Sequence, residues 1–351
     1  MREKKAVGGL MVLTVLIAVI VAGCGGSRHL AAPSADARFA GQTTCEGCHS
    51  GIAADYALTH HGEDFTQHAY GDLVYGRGGA CAPCHSVGYG EDSGFQLDGS
   101  TPYLENIGCE ECHGCGSDHA ASPSSANLMG VPDAETTCWN CHGPSYKPMS
   151  DPAALVVTDA KFYDKDPDSI SVHHPQTTYL NGEYGYNHAG GSDDNPHLLV
   201  DNTCVSCHAN PETSAVTLGL RAASSFDHGP DGLHPDATTC APCHGGELGA
   251  QQVFEAFEEE VKDELIVIAG EDPSEAGEPD PDYGGGMIAA FIAFHGIDIT
   301  SNNNPDDPDV KALKGVIHNY EYILHDASWG AHNPPFTEAL LDEMKALLTI
   351  P

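Results

Sequence analysis

A five-residue unit, Cys-x-x-Cys-His, recurs through this chain and constrains its fold more than any other feature. It occurs as Cys45/Cys48/His49, Cys81/Cys84/His85, Cys109/Cys112/His113, Cys138/Cys141/His142, Cys204/Cys207/His208 and Cys240/Cys243/His244. Two thiols at this spacing can add to the vinyl groups of one haem while the adjacent histidine binds its iron. Zinc ligation and disulfide stapling are the competing readings. A zinc site joins two Cys-x-x-Cys pairs and has no use for a histidine after every pair. The repetition therefore points to six covalent haem c groups, with His49, His85, His113, His142, His208 and His244 as proximal iron ligands.

With 40 Gly, 23 Pro and only 7% aromatic residues, the 351-residue chain is poor material for a conventional core. Six macrocycles would supply the missing apolar surface. The expected fold is mainly α with extensive loops and little β, organised around haem.

The sixth iron position needs a second ligand. Setting aside the six proximal histidines and His29 leaves 14 of the 21 histidines, whereas there are only six methionines, and Met1 and Met11 lie in the N-terminal apolar region. Bis-histidine ligation at most haems is the better fit. It implies low potentials relative to His/Met sites.

The N-terminus carries a charged start, Met1 to Lys5, and then a charge-free apolar run from Ala6 to Val21. This pattern reads as an export signal over residues 1–23. Val21-Ala22-Gly23-Cys24 resembles a bacterial lipobox, which implies cleavage before Cys24 and lipidation of its thiol. A retained signal anchor is the alternative. By the same resemblance, Gly25 after the lipidated cysteine implies outer-membrane sorting, with the protein on the periplasmic or cell-surface side. Residues 24–39 follow as a flexible tether.

Fourteen basic residues stand against 51 acidic ones, a formal net charge of −37. Removing the signal leaves 11 against 50. Nucleic acid and anionic lipid surfaces are thereby disfavoured as partners, while cationic redox proteins or metal ions would be attracted. Solubility of an exported protein would account for the same acidity.

The spacing divides the chain into a four-haem segment over residues 40–150, a connection plus two-haem segment over 151–247, and a helical C-terminal segment over 248–351. A short helix is expected from His49 to Leu58. Gln251 to Ile268 shows apolar residues at helical period. Met287 to Phe294 is apolar all round, so a buried helix is expected there. Two further helices are expected over Val310 to Asp326 and Phe336 to Leu348.

Several motifs resemble multihaem c-type cytochromes. Cys81 to Tyr89, Gly94-Phe95 and Gly108 to His119 look like the tetrahaem cytochrome that serves hydroxylamine oxidoreductase. That resemblance implies that His119, and His61 after the first unit, are distal ligands. His173-His174-Pro175-Gln176, His197 ahead of Cys204, and His228 or His234 ahead of Cys240 are similar to extracellular and metal-reducing multihaem cytochromes. So is Asp326-x-Ser328-x-Gly330-x-His332-Asn333-Pro334, which implies that His332 is a ligand. His61, His119, His173, His174, His197, His228 and His332 are thus the distal candidates, and His295, His318 and His325 are read as structural.

Cys115 departs from the pattern, where a proline is usual. An incidental thiol, a disulfide, reaction with a partner chain and ligation of an incoming metal are all open for it. The resemblance implies electron transfer in extracellular or outer-membrane respiration, with redox proteins or metal ions and oxides as partners. A reductase of nitrogen or sulfur oxides at one open haem and a subunit of a homo-oligomeric cytochrome filament are the alternatives.

Overall fold

The computed structural model describes residues 37–57, 61–62, 74–75, 79, 81–123, 134–143, 174–188, 195–200, 203–208, 240–270, 272, 285–297 and 307–351. The signal sequence, Cys24, His173, His228 and His234 lie outside them. Among the described residues the chain is helical, and β structure is limited to an isolated antiparallel bridge between Ser86 and Glu105. The expectation of a mainly α chain with little β therefore holds.

Short helices carry or flank the Cys-x-x-Cys-His units: α1 (Gln42–Glu46), α2 (Ser50–Tyr56), α3 (Ala82–His85), α4 (Cys109–His113), α5 (Ser117–Ala121), α6 (Ala134–His142), α7 (Gln176–Leu180) and α8 (Thr203–His208). Most of them span one or two turns, too short to stand alone in water, so tertiary contacts and the cofactor must hold them. Four longer helices follow: α9 (Glu247–Ala269), α10 (Gly286–His295), α11 (Pro308–Asp326) and α12 (Pro334–Leu347).

These four helices build a conventional apolar core, which the composition of the whole chain argues against. Val261, Leu265 and Ile268 of α9 meet Ile288 and Phe291 of α10, Leu313, Val316, Tyr320 and Ile323 of α11, and Phe336, Leu340 and Met344 of α12. Each set falls at spacings of three and four, which places it on one helical face. Burying a side chain of this size is worth about 1.5–3 kcal/mol. The glycines and prolines that depress the chain-wide average fall mainly in the loops between the haem units, so haem is not needed as the core here. α10 is less buried than its composition predicts. It packs along one face only, and Phe294 on the other is 58% exposed.

The helix ends follow from side chains that satisfy otherwise orphaned backbone groups. Asp307 caps α11 by accepting from Asp309 N at 2.9 Å, with Pro308 at the first helical position. Asn333 accepts from Phe336 N at the start of α12.

The segment 174–188, assigned by spacing to the two-haem part, packs into the C-terminal core. Tyr179 is fully buried there, and its hydroxyl shares a hydrogen bond of 2.6 Å with Thr337 Oγ1. Tyr322 donates to Thr178 Oγ1 at 2.7 Å. Gly315, inside α11, makes this docking possible, because a Cβ there would collide with the Tyr186 ring. Gly315→Val is expected to destabilise the protein by about 1–3 kcal/mol, through overpacking and displacement of this segment, as a lowered midpoint in denaturant titration followed by circular dichroism.

A smaller apolar cluster lies around the second and third units: Ala37, Phe39, Val74, Ala82, Val87, Phe95, Leu104 and Cys115. The end of the expected tether thus belongs to the fold. Phe39 is buried against Gly88, which has φ +65° and no room for a Cβ. Cys115 is 1% exposed and packs within this cluster.

Candidate haem centres

The twelve cysteines assigned to haem attachment are all free of disulfides, which sets aside the stapling reading of the units. They are not placed alike. Ten are part-buried, whereas Cys48 of the first unit and Cys243 of the sixth are exposed. The reason is local: α1 stops at Glu46, and the sixth unit precedes α9, so both thiols sit in turns rather than in a packed helix. Each turn is closed by backbone bonds to the carbonyl of its first cysteine: Cys45 O accepts from Cys48 N at 3.1 Å and His49 N at 2.9 Å, and Cys240 O from Cys243 N at 3.2 Å and His244 N at 3.0 Å.

The helices of the units come together in pairs. The Cys45 thiol of the first unit is hydrogen-bonded to Cys109 of the third, which, with burial, holds it well above its ordinary pKa. Cys141 of the fourth unit is held up in the same way by Cys84 of the second, and Cys138 of the fourth by Cys204 of the fifth. The attachment points of units distant in sequence are therefore neighbours.

Buried carboxylates make the junction between the first and third units. Glu110, 2% exposed, accepts from Ala40 N at 2.8 Å, Gly41 N at 2.7 Å and Gly116 N at 2.6 Å, tying α4 to the chain entering α1 and leaving toward α5. Burial raises the Glu110 pKa, and these three hydrogen bonds oppose the rise. Glu111 accepts from Gly88 N at 2.9 Å, and Gln42 Oε1 accepts from Cys109 N at 3.2 Å.

Histidine rings face one another across the same region. An imidazole nitrogen sits about 2 Å from a metal ion, and the ring centre lies roughly 1 Å farther out, so two imidazoles on opposite sides of one iron have ring centres about 6 Å apart. His49 and His119 are 6.2 Å apart, His85 and His174 6.1 Å, His142 and His61 5.9 Å, His208 and His332 5.8 Å, and His244 and His197 6.1 Å. Each pair joins a histidine of a Cys-x-x-Cys-His unit to one outside any unit. His174 also lies 5.2 Å from His142, edge to face. That spacing is too short for an intervening iron, so the separations match His174 to His85 and His61 to His142. His113 closes α4 in the third unit.

Protonation states agree with a ligand role, which requires a neutral imidazole. Burial lowers the pKa of His142 and of His197. His332 differs. Burial would lower its pKa too, but the Asp326 carboxylate outweighs burial and the pKa is raised.

Hydrogen bonds aim several of these rings. His142 Nδ1 is 2.9 Å from Gln176 Oε1, and Gln176 Nε2 donates in turn to the carbonyls of His325 at 3.0 Å and Asp326 at 3.3 Å at the end of α11. His332 Nδ1 is 2.7 Å from Asp326 Oδ1, and Ser328 donates its hydroxyl to Asp326 Oδ2. Asn195 caps the 3₁₀ turn Pro196–Leu199 that carries His197, accepting from His197 N at 3.1 Å while donating to the carbonyls of Leu180 at 2.8 Å and His332 at 2.9 Å. For His142 and His332 the bond engages Nδ1 and leaves Nε2 as the nitrogen that would bind a metal. Asn195→Ala strands the His197 N–H, while the Leu180 carbonyl keeps Asn333 Nδ2 and the His332 carbonyl keeps the His197 ring, so a loss of about 1–2 kcal/mol in denaturant titration is expected.

Gln176, Asp326 and Asn195 carry no role in the sequence reading. The signal for two of them is there nonetheless, since Gln176 and Asp326 lie in the same motifs as His174 and His332. His318, read as structural, hydrogen-bonds Tyr184 O through Nε2 at 2.8 Å, and His295 Nδ1 lies 2.7 Å from Asp309 Oδ2.

Residues 44–114, spanning the first three units, match the family model for cytochrome c554 and c-prime. The chain is also 31% identical over 96 residues to cytochrome c-554 of Nitrosomonas europaea, a match covering 24% of this chain and 41% of that protein. The chain thus spans about two fifths of the length of that relative. The likeness to multihaem c-type cytochromes drawn from the motifs is borne out by these matches, and haem c is the cofactor they imply. Two solved structures are similar at low identity. The outer cell wall cytochrome OcwA aligns with 89% of this chain and 100% of its own at 14% identity and a TM-score of 0.33. An undecahaem cytochrome from the S-layer of Carboxydothermus ferrireducens aligns with 90% of this chain and 70% of its own at 16% identity and a TM-score of 0.29.

The residues present fit haem c. Each unit brings two thiols and one imidazole, and among the described residues five of the six unit histidines have a second imidazole at 5.8–6.2 Å, which would hold a haem iron between the two rings. When bound, the haem supplies a one-electron iron couple. The chain's own residues supply two axial nitrogens, hydrogen bonds that orient them, and apolar burial.

Proposed function

We propose that this protein conducts electrons through six covalently bound haem c groups, five of them held between the pairs His49/His119, His85/His174, His142/His61, His208/His332 and His244/His197. The observation that carries this reading is the set of five opposed imidazole pairs at 5.8–6.2 Å. Neighbouring thiols of different units support it, because cofactors attached at Cys45 and Cys109, at Cys84 and Cys141, and at Cys138 and Cys204 would be held close to one another. Electron transfer needs fixed cofactors at short range, and two axial ligands per iron leave little room for substrate.

The setting proposed is extracellular or outer-membrane respiratory electron transfer by an exported lipoprotein anchored at Cys24. The apolar N-terminal run ending at the lipobox-like Val21-Ala22-Gly23-Cys24 supports export, as does haem attachment itself. Among the described residues no helix is long and apolar enough to cross a membrane. The acidic surface favours cationic redox proteins or metal ions and oxides as partners and disfavours nucleic acid.

The test is intact mass together with low-temperature EPR of the protein purified from an expression host that matures c-type cytochromes. Six haem increments, a diacylglycerol-modified Cys24 and wholly low-spin iron are expected. A high-spin five-coordinate signal in the native protein would favour a reductase of nitrogen or sulfur oxides instead, and regular fibres in negative stain would favour the filament reading.

A further inference from the structure

Among the histidines that face a unit histidine, His332 has a charged partner. Its Nδ1 lies 2.7 Å from Oδ1 of Asp326, whose side chain is fully buried. His142 has the neutral amide oxygen of Gln176 on Nδ1, and the His197 ring bonds to the main-chain carbonyls of Ala331 and His332. The three rings are otherwise alike in being part-buried and in having another imidazole opposite. The carboxylate is built into the fold: Asp326 ends α11, Ser328 donates to its second oxygen, and Ala327 between them takes the left-handed conformation at φ 56° that closes the helix.

We propose that Asp326 is a positioning and potential-setting residue that makes the iron held by His208 and His332 lower in potential than those held by His142/His61 and His244/His197. This deepens the proposed function and rests on its assignment of His332 as an axial ligand. An imidazole that donates its Nδ1 hydrogen to a carboxylate is a stronger donor through Nε2 and favours the oxidised metal. A buried negative charge acts in the same direction, since its interaction with the iron charge is weakly screened in a low-dielectric interior. Reduction adds one electron to the iron couple. No bond breaks, and the Nδ1 hydrogen stays between His332 and Asp326.

Gln176 sharpens the contrast. Its amide links His142 to the carbonyls of residues 325 and 326, so one helix end orients a ligand in each of two haem sites while giving charge to only one. Cys138 and Cys204, which attach these two haems, are hydrogen-bonded neighbours. The potential difference therefore falls across an adjacent pair and sets the direction in which an electron settles between them.

Film voltammetry and EPR of the six-haem protein test this with D326N, D326E, S328A and H332A. In D326N the Fe(III)/Fe(II) equilibrium of one haem should shift about 10- to 100-fold toward the reduced state, which at 59 mV per decade for one electron is about 59–118 mV upward. The other couples should stay in place and all haems remain low-spin. D326E should return the moved couple toward its native value. S328A removes the donor that dampens the carboxylate and should shift the same couple downward, a sign that loosened packing does not produce. If D326N does not fold, S328A decides: a downward shift supports the proposal, while no shift or an upward one overturns it. A folded D326N with unmoved potentials also overturns it and leaves the ligand assignment intact. An H332A protein that keeps six low-spin haems would instead remove the assignment of His332 itself.

Discussion

His332→Ala should leave six haems covalently attached by intact mass and convert one of them to a high-spin or water-ligated form, with the low-spin EPR intensity falling by one sixth. The reasoning is local. His332 faces His208 at 5.8 Å, and the backbone around it is held independently of its ring: the Asn195 side chain donates to its carbonyl and its own N–H donates to Ser328 Oγ at 3.1 Å. Truncating the ring therefore removes the ligand without removing the loop. His208 and the Cys204 and Cys207 thioether positions remain on α8, so attachment should persist. The same substitution at His208 is expected to be more damaging, because it removes the histidine of the attachment unit itself. An unchanged spectrum in His332→Ala would mean that another residue holds that iron.

Glu110→Ala should cost about 3–5 kcal/mol of stability. The carboxylate satisfies three backbone N–H groups, those of Ala40, Gly41 and Gly116, in segments that a small apolar cluster and the Arg38–Ser117 and Gln42–Cys109 hydrogen bonds also join. Each donor stranded in a buried site costs about 1–3 kcal/mol, and three are lost together. The measurement is a denaturant titration of the haem-loaded protein followed in the Soret band. A loss under about 1 kcal/mol would mean that water or another side chain takes over the three donors. Glu110→Gln should lose less, since an amide oxygen can still accept. It should also change the pH dependence. Burial raises the Glu110 pKa in the folded state above its unfolded value, so the folded protein holds its proton more tightly. Stability from this group is therefore fully present below the unfolded value and falls as pH rises through the folded one. The glutamine variant, having no proton to lose, should show a flatter profile over that window.

Much of the candidate site is legible in the residues themselves. Six Cys-x-x-Cys-His units declare the attachment points, because two thiols and an imidazole must be close in sequence to serve one macrocycle. How deeply each thiol sits is not declared: Cys112 and Cys48 occupy the same place in their units, yet one lies part-buried in a helix and the other in an exposed turn, as does Cys243. The pairing of opposing rings is not legible either. His119 lies beside the third unit yet faces His49 of the first, and His61 follows the first unit yet faces His142 of the fourth. Nothing in spacing selects these partners, since they depend on how α1, α4, α5 and α6 pack.

The helices α9 and α11 are recognisable from apolar residues at period 3.6, with ends differing by a few residues. Helix α10 is recognisable as a helix but not in its burial, because an all-apolar stretch does not reveal that only one face is covered. The largest departure concerns the core. Glycine and proline averaged over the whole chain predict a protein that needs haem to have an interior. Tyr179, Leu265, Tyr320, Leu340 and Met344 make an interior without one.

That separate interior bears on the order of assembly. None of the core residues of the four long helices belongs to a Cys-x-x-Cys-His unit, so this bundle can reach its native packing while the thiols are still open to the attachment machinery. His332 and Asp326 then stand on a finished platform before the haem of the fifth unit arrives. On the proposed assignment, the far ligand of that haem would be in place first, and the covalent half of the site would close onto it.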